Sequence, residues 1–185
     1  ASFGYGVVPA ALSGASEVLT EAGLGRAHTL VTHAFMHGST LHLAGNVWFL
    51  FVFGDNVEDR LGRGRFLAFY LLMGIVAALA QVATDPGAMV PMIGASGAVA
   101  GVLGAYLKFY PRARVVTLTP ILLLLAVPAG LFLPLWFFMQ IGRAALEGDN
   151  AHVAWFAHVG GFIAGWVGAS LVASPEPDDA LQSAL

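Results

Sequence analysis

Stretches free of Asp, Glu, Lys and Arg recur along this chain. His33 to Gly54, Phe66 to Thr84, Pro86 to Leu107, Val115 to Gly142 and Ala151 to Pro175 contain none. About 20 apolar residues cross the hydrocarbon core of a bilayer. The pattern therefore predicts five transmembrane helices, roughly over 38–54, 66–83, 95–110, 118–141 and 152–173. Pro128 and Pro134 predict a kink, or a shorter regular part, in the fourth. Asp85-Pro86-Gly87 and Glu147-Gly148-Asp149-Asn150 are turn signals between spans. The first 32 residues differ. Gly4, Gly6, Pro9, Gly14, Gly23 and Gly25 break any long helix, and Glu17, Glu21 and Arg26 interrupt the apolar pattern. Residues 1–32 are expected to form an interfacial loop with short helical pieces, such as 16–22. A transmembrane domain over 33–173 and a short acidic tail over 174–185 complete the expected organisation. The fold class is all-α, a polytopic membrane helix bundle.

Composition agrees with this pattern. Of the 185 residues 58% are hydrophobic and 10% charged, with mean hydropathy +0.78. Soluble domains carry about 25% charged residues. No basic stripe suggests nucleic acid, and the absence of cysteine excludes disulfides and thiolate metal sites. The chain starts at Ala1 without a charged segment leading into an apolar core, so no signal peptide is expected. Arg60, Arg63 and Arg65 lie between the first two predicted helices, and Lys108, Arg112 and Arg114 between the third and fourth. The opposite side has only Arg26 and Arg143. The positive-inside rule makes the two basic loops cytoplasmic. An odd number of spans then puts the N-terminal loop outside and the tail with Glu176, Asp178 and Asp179 inside.

Polar groups in lipid-spanning sequence are expensive and are candidates for function. Ser96 lies in Gly94-Ala95-Ser96-Gly97, and His158 in Ala157-His158-Val159-Gly160-Gly161. The orientation above places both in the outer half of the membrane, together with His42 and Asn46. A serine hydroxyl beside an imidazole that takes its proton is the minimal unit of nucleophilic catalysis. With Ser96 at a helix start, free backbone N–H groups and the positive dipole end favour an anion. His42 and Asn46 are four apart on one helical face and can add donors to such an oxyanion site. Gly94 and Gly97 permit a tight turn and close approach. Gly97, Gly101 and Gly104 give one small-residue face, and Gly161, Gly165 and Gly168 another, which lets two helices pack backbone to backbone. No Asp or Glu lies within the spans, so a Ser–His dyad is the economical arrangement.

Each residue also has a plainer reading. Ser96 fits a helix N-cap, His158 a hydrogen-bonded packing residue, and His42 with Asn46 an interhelical polar clamp. His33, His37 and His42 invite a metal reading. His37 and His42 are five apart and no carboxylate joins them in the spans, so no metal is expected. His33 and His37 are instead expected to anchor the loop by hydrogen bonds. His28 and His152 read as interfacial, and Glu58 with Arg60 as a structural network on the cytoplasmic side.

Several stretches in order resemble the rhomboid intramembrane serine proteases. They are His33-Ala34-Phe35-Met36-His37-Gly38-Ser39-Thr40-Leu41-His42 with Asn46, Glu58-Asp59-Arg60-Leu61-Gly62, Gly94-Ala95-Ser96-Gly97, and Ala157-His158 with Gly161 and Gly165. The resemblance covers nearly the whole chain. It implies that Ser96 is the nucleophile and His158 the general base. It implies an oxyanion hole of His42, Asn46 and the Ser96 N–H, with Gly94, Gly97, Gly161, Gly165 and His37 in support. It implies cleavage of transmembrane protein substrates near the outer face of the bilayer, without metal or organic cofactor. A multi-pass protein of a bacterial plasma membrane, its active site opening outward, is the location that follows. The family core has six helices; residues 1–32 resemble the loop after its first helix, so that helix is not among these residues. His28 and Thr29 stand where many members carry Trp-Arg, and Ala100 where some stack a tyrosine under the histidine. The alternatives are a catalytically inactive rhomboid-like protein that binds membrane helices, and a small transporter or channel. The last would need charged or unwound mid-membrane segments, which the spans lack.

Overall fold

Ser39 starts the first long helix: its hydroxyl accepts a hydrogen bond from the His42 backbone N–H at 3.1 Å, satisfying one of the free donors of a helix start. This helix, α5 (Thr40–Leu61), is preceded by α1 (Ser2–Tyr5), α2 (Pro9–Leu12), α3 (Glu17–Glu21), α4 (Thr29–Thr32) and a 3-10 turn at His33–Phe35. It is followed by α6 (Arg63–Thr84), α7 (Ser96–Phe109), strands β1 (Arg114–Leu118) and β2 (Leu124–Pro128), α8 (Ala129–Glu147) and α9 (Trp155–Val172). The computed structural model describes residues 2–21, 27–118, 124–147 and 153–172. Arg26, Gly148 to His152 and the acidic tail fall outside the described residues.

Gly62, at φ +80°, reverses the chain between α5 and α6, a conformation in which glycine has no Cβ penalty. At the other end of α6 the expected turn forms at Asp85-Pro86-Gly87, where Ala88 N–H donates to Asp85 O at 3.3 Å. The described N-terminal residues form short helices and are stitched to the α6–α7 linker. Val7 and Met92 exchange backbone hydrogen bonds of 3.0 and 2.7 Å, and Ala10 N–H donates to Ala88 O at 3.0 Å. Glu17–Glu21 is the helical piece expected over 16–22.

The centre of the bundle is α7. At 14 residues it is shorter than a full bilayer crossing, and every residue from Gly97 to Tyr106 is buried. Helices in lipid gain little from hiding apolar surface, so close van der Waals packing must hold them. Here glycines provide it. A Cβ on Gly165 would collide with the Gly101 carbonyl, one on Gly161 with the Gly97 carbonyl, and one on Gly104 with the Phe162 carbonyl. Gly97 and Gly101 also face α6, where a Cβ would lie 2.6 Å from Ala77 Cβ and 2.5 Å from Met73 Cβ respectively. Gly168 departs from the expected shared face and turns to Phe69 and Met73 of α6. The helix period of 3.6 carries it around the axis.

The fourth span differs from expectation. Residues 114–118 and 124–128 form an antiparallel ribbon, with Arg114 opposite Pro128 and Leu118 opposite Leu124. The regular helix covers Ala129–Glu147 rather than 118–141. β-branched Val115, Val116 and Thr117 favour extended backbone, and Pro128 is suited to the position just before a helix but not its interior. Pro134 stays inside α8.

Of the five long helices, α6, α8 and α9 are long and apolar enough to cross a bilayer. Their outward faces, and that of α5, are apolar: Phe51, Leu67, Leu135 and Leu171 are exposed. The basic linkers gather at one end. Arg60 lies over the Phe109 ring, Lys108 over the Trp166 ring at 4.6 Å, and Tyr110 Oη donates to Asn56 O. Glu58 there faces Arg63 at 3.4 Å. The Asp85 turn and the start of α9 lie at the opposite end.

Candidate active site

At that opposite end the α6–α7 linker must pass close to α5. Gly94 makes this possible twice over. Its φ of +123° suits glycine alone, and a Cβ there would sit 2.6 Å from His42 Cε1 and 2.8 Å from His42 Nε2. Gly94 N–H donates to His33 O at 2.9 Å, and the His33 ring in turn donates from Nδ1 to Thr29 O at 3.0 Å. Two residues on, α7 begins at Ser96.

Ser96 Oγ lies 2.8 Å from His158 Nε2. His158 is the fourth residue of α9, whose start is tied to α6 where Ala157 N–H donates to Gln81 Oε1 at 3.3 Å. The other ring nitrogen, Nδ1, is 2.9 Å from Gln140 Oε1 on α8. Tryptophans restrain the ring: Trp136 at a centroid distance of 6.2 Å and a tilt of 34°, and Trp155 edge-on at 5.7 Å. Ring support thus comes from α8 and the start of α9, while Ala100 is fully buried one turn beyond Ser96.

His42 and Asn46, both on α5, border the same space. Asn46 is buried, and its Nδ2 has no hydrogen-bond partner among the described residues. These side chains line a cavity of about 240 Å³. Leu41, Gly45 and Phe49 of α5, Val99 and Leu103 of α7, and Trp136 and Gln140 of α8 complete its largely apolar wall. A hydroxyl against an imidazole nitrogen, with an unpaired amide donor and a helix start alongside, is chemically suited to attack on a carbonyl.

The sequence-based expectations for the surrounding histidines divide. His33 anchors the loop through Thr29 and Gly94. His37 is hydrogen-bonded to the backbone at Phe35, while its buried Nε2 has no partner among the described residues and its ring packs edge-on against His42 at 5.1 Å. His28 donates to Gly4 O at 3.3 Å, and His152 is outside the described residues. Burial lowers the pKa of His33 below its ordinary 6.5, against a smaller opposing effect of its backbone hydrogen bonds. Burial, helped by neighbouring His42, does the same for His37. Among the described residues no three His, Asp or Glu side chains converge.

Gln140, Gln81, Trp136 and Trp155 were not singled out by the sequence reading. Gln140 did carry a signal: it is a polar residue within the charge-free stretch Val115 to Gly142. Like Ser96 and His158, it is a polar group that is costly to keep in lipid.

A family model described as Rhomboid domain matches residues 24–175. Rhomboid protease GluP of Bacillus subtilis (strain 168) is 32% identical over 151 residues, 80% of this chain and 26% of that protein. RHOMBOID-like protein 5 of Arabidopsis thaliana is 31% identical over 144 residues, 74% of this chain and 41% of that protein. The human mitochondrial presenilin-associated rhomboid-like protein is 30% identical over 150 residues, 74% of this chain and 35% of that protein. The chain spans less than half the length of each of these relatives.

Proposed function

This chain belongs to the rhomboid family, and from that premise we propose that it is a serine endopeptidase cleaving membrane-spanning segments of other proteins within the bilayer. The observation that carries the proposal is the 2.8 Å contact between Ser96 Oγ and His158 Nε2. It joins two side chains from different helices, each costly to keep in lipid.

The reaction runs through the chain's own residues. Ser96 Oγ attacks the scissile carbonyl carbon while its proton passes to His158 Nε2. The carbonyl oxygen becomes an oxyanion that accepts from Asn46 Nδ2, the His42 ring and the Ser96 backbone N–H. As the C–N bond breaks, His158 returns the proton to the leaving amine. Water then attacks the acyl-enzyme, His158 takes a proton from it, and Ser96 regains its hydrogen as the new carboxyl end departs. The apolar wall of the cavity suits a transmembrane peptide, and the substrate bond enters from the bilayer in an unwound stretch. The basic linkers face the cytoplasm in this proposal, and the cavity lies toward the outer side of a bacterial plasma membrane.

The test uses purified protein in liposomes with a tagged single-span substrate. Ser96→Ala and His158→Ala should each lower cleavage by at least about 10³-fold. A fluorophosphonate should label wild-type protein at Ser96 and fail to label either variant. Undiminished cleavage by Ser96→Ala would overturn the proposal. Absent cleavage and labelling in the wild type, with a substrate helix still bound, would favour the inactive, helix-binding alternative.

A further inference from the structure

We infer that Gln140 is a positioning residue that fixes which nitrogen of His158 carries the proton, making the site a directed chain from Gln140 through His158 to Ser96. The inference rests on the reading of His158 as the base. The direction of the chain follows from one fixed end. Gln140 Nε2 lies 3.3 Å from the Trp136 carbonyl oxygen, an atom that only accepts hydrogen bonds. The amide nitrogen must therefore face Trp136, and Oε1 faces His158 Nδ1 at 2.9 Å. Oε1 is itself only an acceptor, so Nδ1 must carry the hydrogen. A neutral imidazole has one N–H, which leaves Nε2 with its lone pair toward Ser96 Oγ at 2.8 Å. The serine hydroxyl then donates, as a nucleophile about to lose its proton must.

The reversed amide fails at both ends. Oε1 would face the Trp136 oxygen, acceptor against acceptor. The amide N–H would point at His158 Nδ1, driving the ring proton to Nε2 and toward Ser96, where the ring could no longer act as base. Both side chains are buried, Gln140 at 4% and His158 at 9% exposure, so bulk water offers little competing hydrogen bonding. The anchor is local, since Trp136 and Gln140 are one turn apart on α8, and Trp136 also flanks the ring that Gln140 orients. A carboxylate could orient the ring as well, but a charge at this depth is expensive. An amide dipole supplies the directionality without the charge.

The experiment reads the tautomer directly and cleavage separately. With 15N-labelled histidine in nanodiscs, signals absent from His158→Ala identify His158. The wild type should show a protonated Nδ1 and a bare Nε2. In Gln140→Leu the population should move toward the Nε2–H form, and kcat should fall by at least about tenfold with KM within about twofold. Gln140→Glu, protonated at this depth so that its O–H replaces the amide donor toward the Trp136 carbonyl while its carbonyl oxygen keeps the acceptor toward His158, should restore the Nδ1–H form and most of the lost kcat. An Nε2–H tautomer in the wild type overturns the inference whether or not the variants fold. So does a folded Gln140→Leu protein with unchanged tautomer and kcat. Failure of the protease reading is a different result: unimpaired cleavage by Ser96→Ala, whatever tautomer His158 shows.

Discussion

Asn46 is a buried side chain whose Nδ2 donor has no partner among the described residues. Such a group costs about 1–3 kcal/mol relative to a satisfied one, and in the proposed reaction the substrate oxyanion becomes its partner. Asn46→Leu should therefore leave thermal stability unchanged or raise it slightly, while lowering kcat by about 10²-fold. Unfolding and cleavage measured on the same preparation check both halves. Gly94 behaves in the opposite way. Gly94→Ala places a Cβ at φ +123° and against the His42 ring, and should cost about 1–3 kcal/mol of stability as well as activity. At this scale the sequence was most legible where a residue type is anomalous by itself. Ser96, His158, His42 and Asn46 stood out because polar groups are rare in such stretches. That the Gly94 Hα side faces the His42 ring was not legible, because these residues meet only after α5 and α7 have docked.

Among elements, the seam between α7 and α9 governs everything around it, because Ser96 and His158 sit at its open end. Gly165→Ala would drive a methyl group into the Gly101 carbonyl and should destabilise by about 1–3 kcal/mol or more. Gly142→Ala is the matched control. Nothing lies within 4 Å of a Cβ there, and the exchange should stabilise α8 by about 0.5–1 kcal/mol. Unfolding in mild detergent should place Gly165→Ala below the wild type and Gly142→Ala slightly above it. Helix existence was legible from charge-free length, and the two glycine faces from small-residue spacing. The start of the fourth helix was not. Val115 to Pro128 is as apolar as a span, and hydropathy alone does not separate an apolar ribbon from a helix. The β-branched run and Pro128 carried the distinction, but only as a weak preference that the ribbon partner strand made decisive.

For the molecule as a whole, orientation and acid response can both be read. Because the chain has no cysteine, single substitutions report topology cleanly. Asp85→Cys should react with a membrane-impermeant maleimide on intact cells, and Arg112→Cys only after permeabilisation; the reverse pattern would refute the proposed orientation. Acid sensitivity follows from His33. Its folded pKa is lowered by burial, so the unfolded chain takes up the proton first. The stability tied to neutral His33 is full above about pH 6.5 and is lost as pH falls toward the folded pKa. Exchanging it as His33→Gln should flatten the fall in unfolding free energy below about pH 6.5, by up to about 1.4 kcal/mol per pH unit, one proton's worth. Chemical denaturation from pH 7 to 5 measures it.

What the sequence determined by itself was everything set by local cost. Charge is expensive in lipid, an apolar run must satisfy its own backbone, and arginines gather on one side; apolar stretches, a loop and a short set of suspect polar residues follow without reference to distant contacts. Tertiary structure alone decided the rest. It set the register that brings Ser96 within 2.8 Å of His158, placed Gln140 on the far side of the same ring, and left Asn46 Nδ2 in the same cavity without a partner among the described residues. Hydrogen bonds of that kind depend on tenths of an ångström between helices far apart in the chain. The packing of glycine against carbonyl at the centre of the bundle holds α7 and α9 at the close spacing that the Ser96–His158 contact needs.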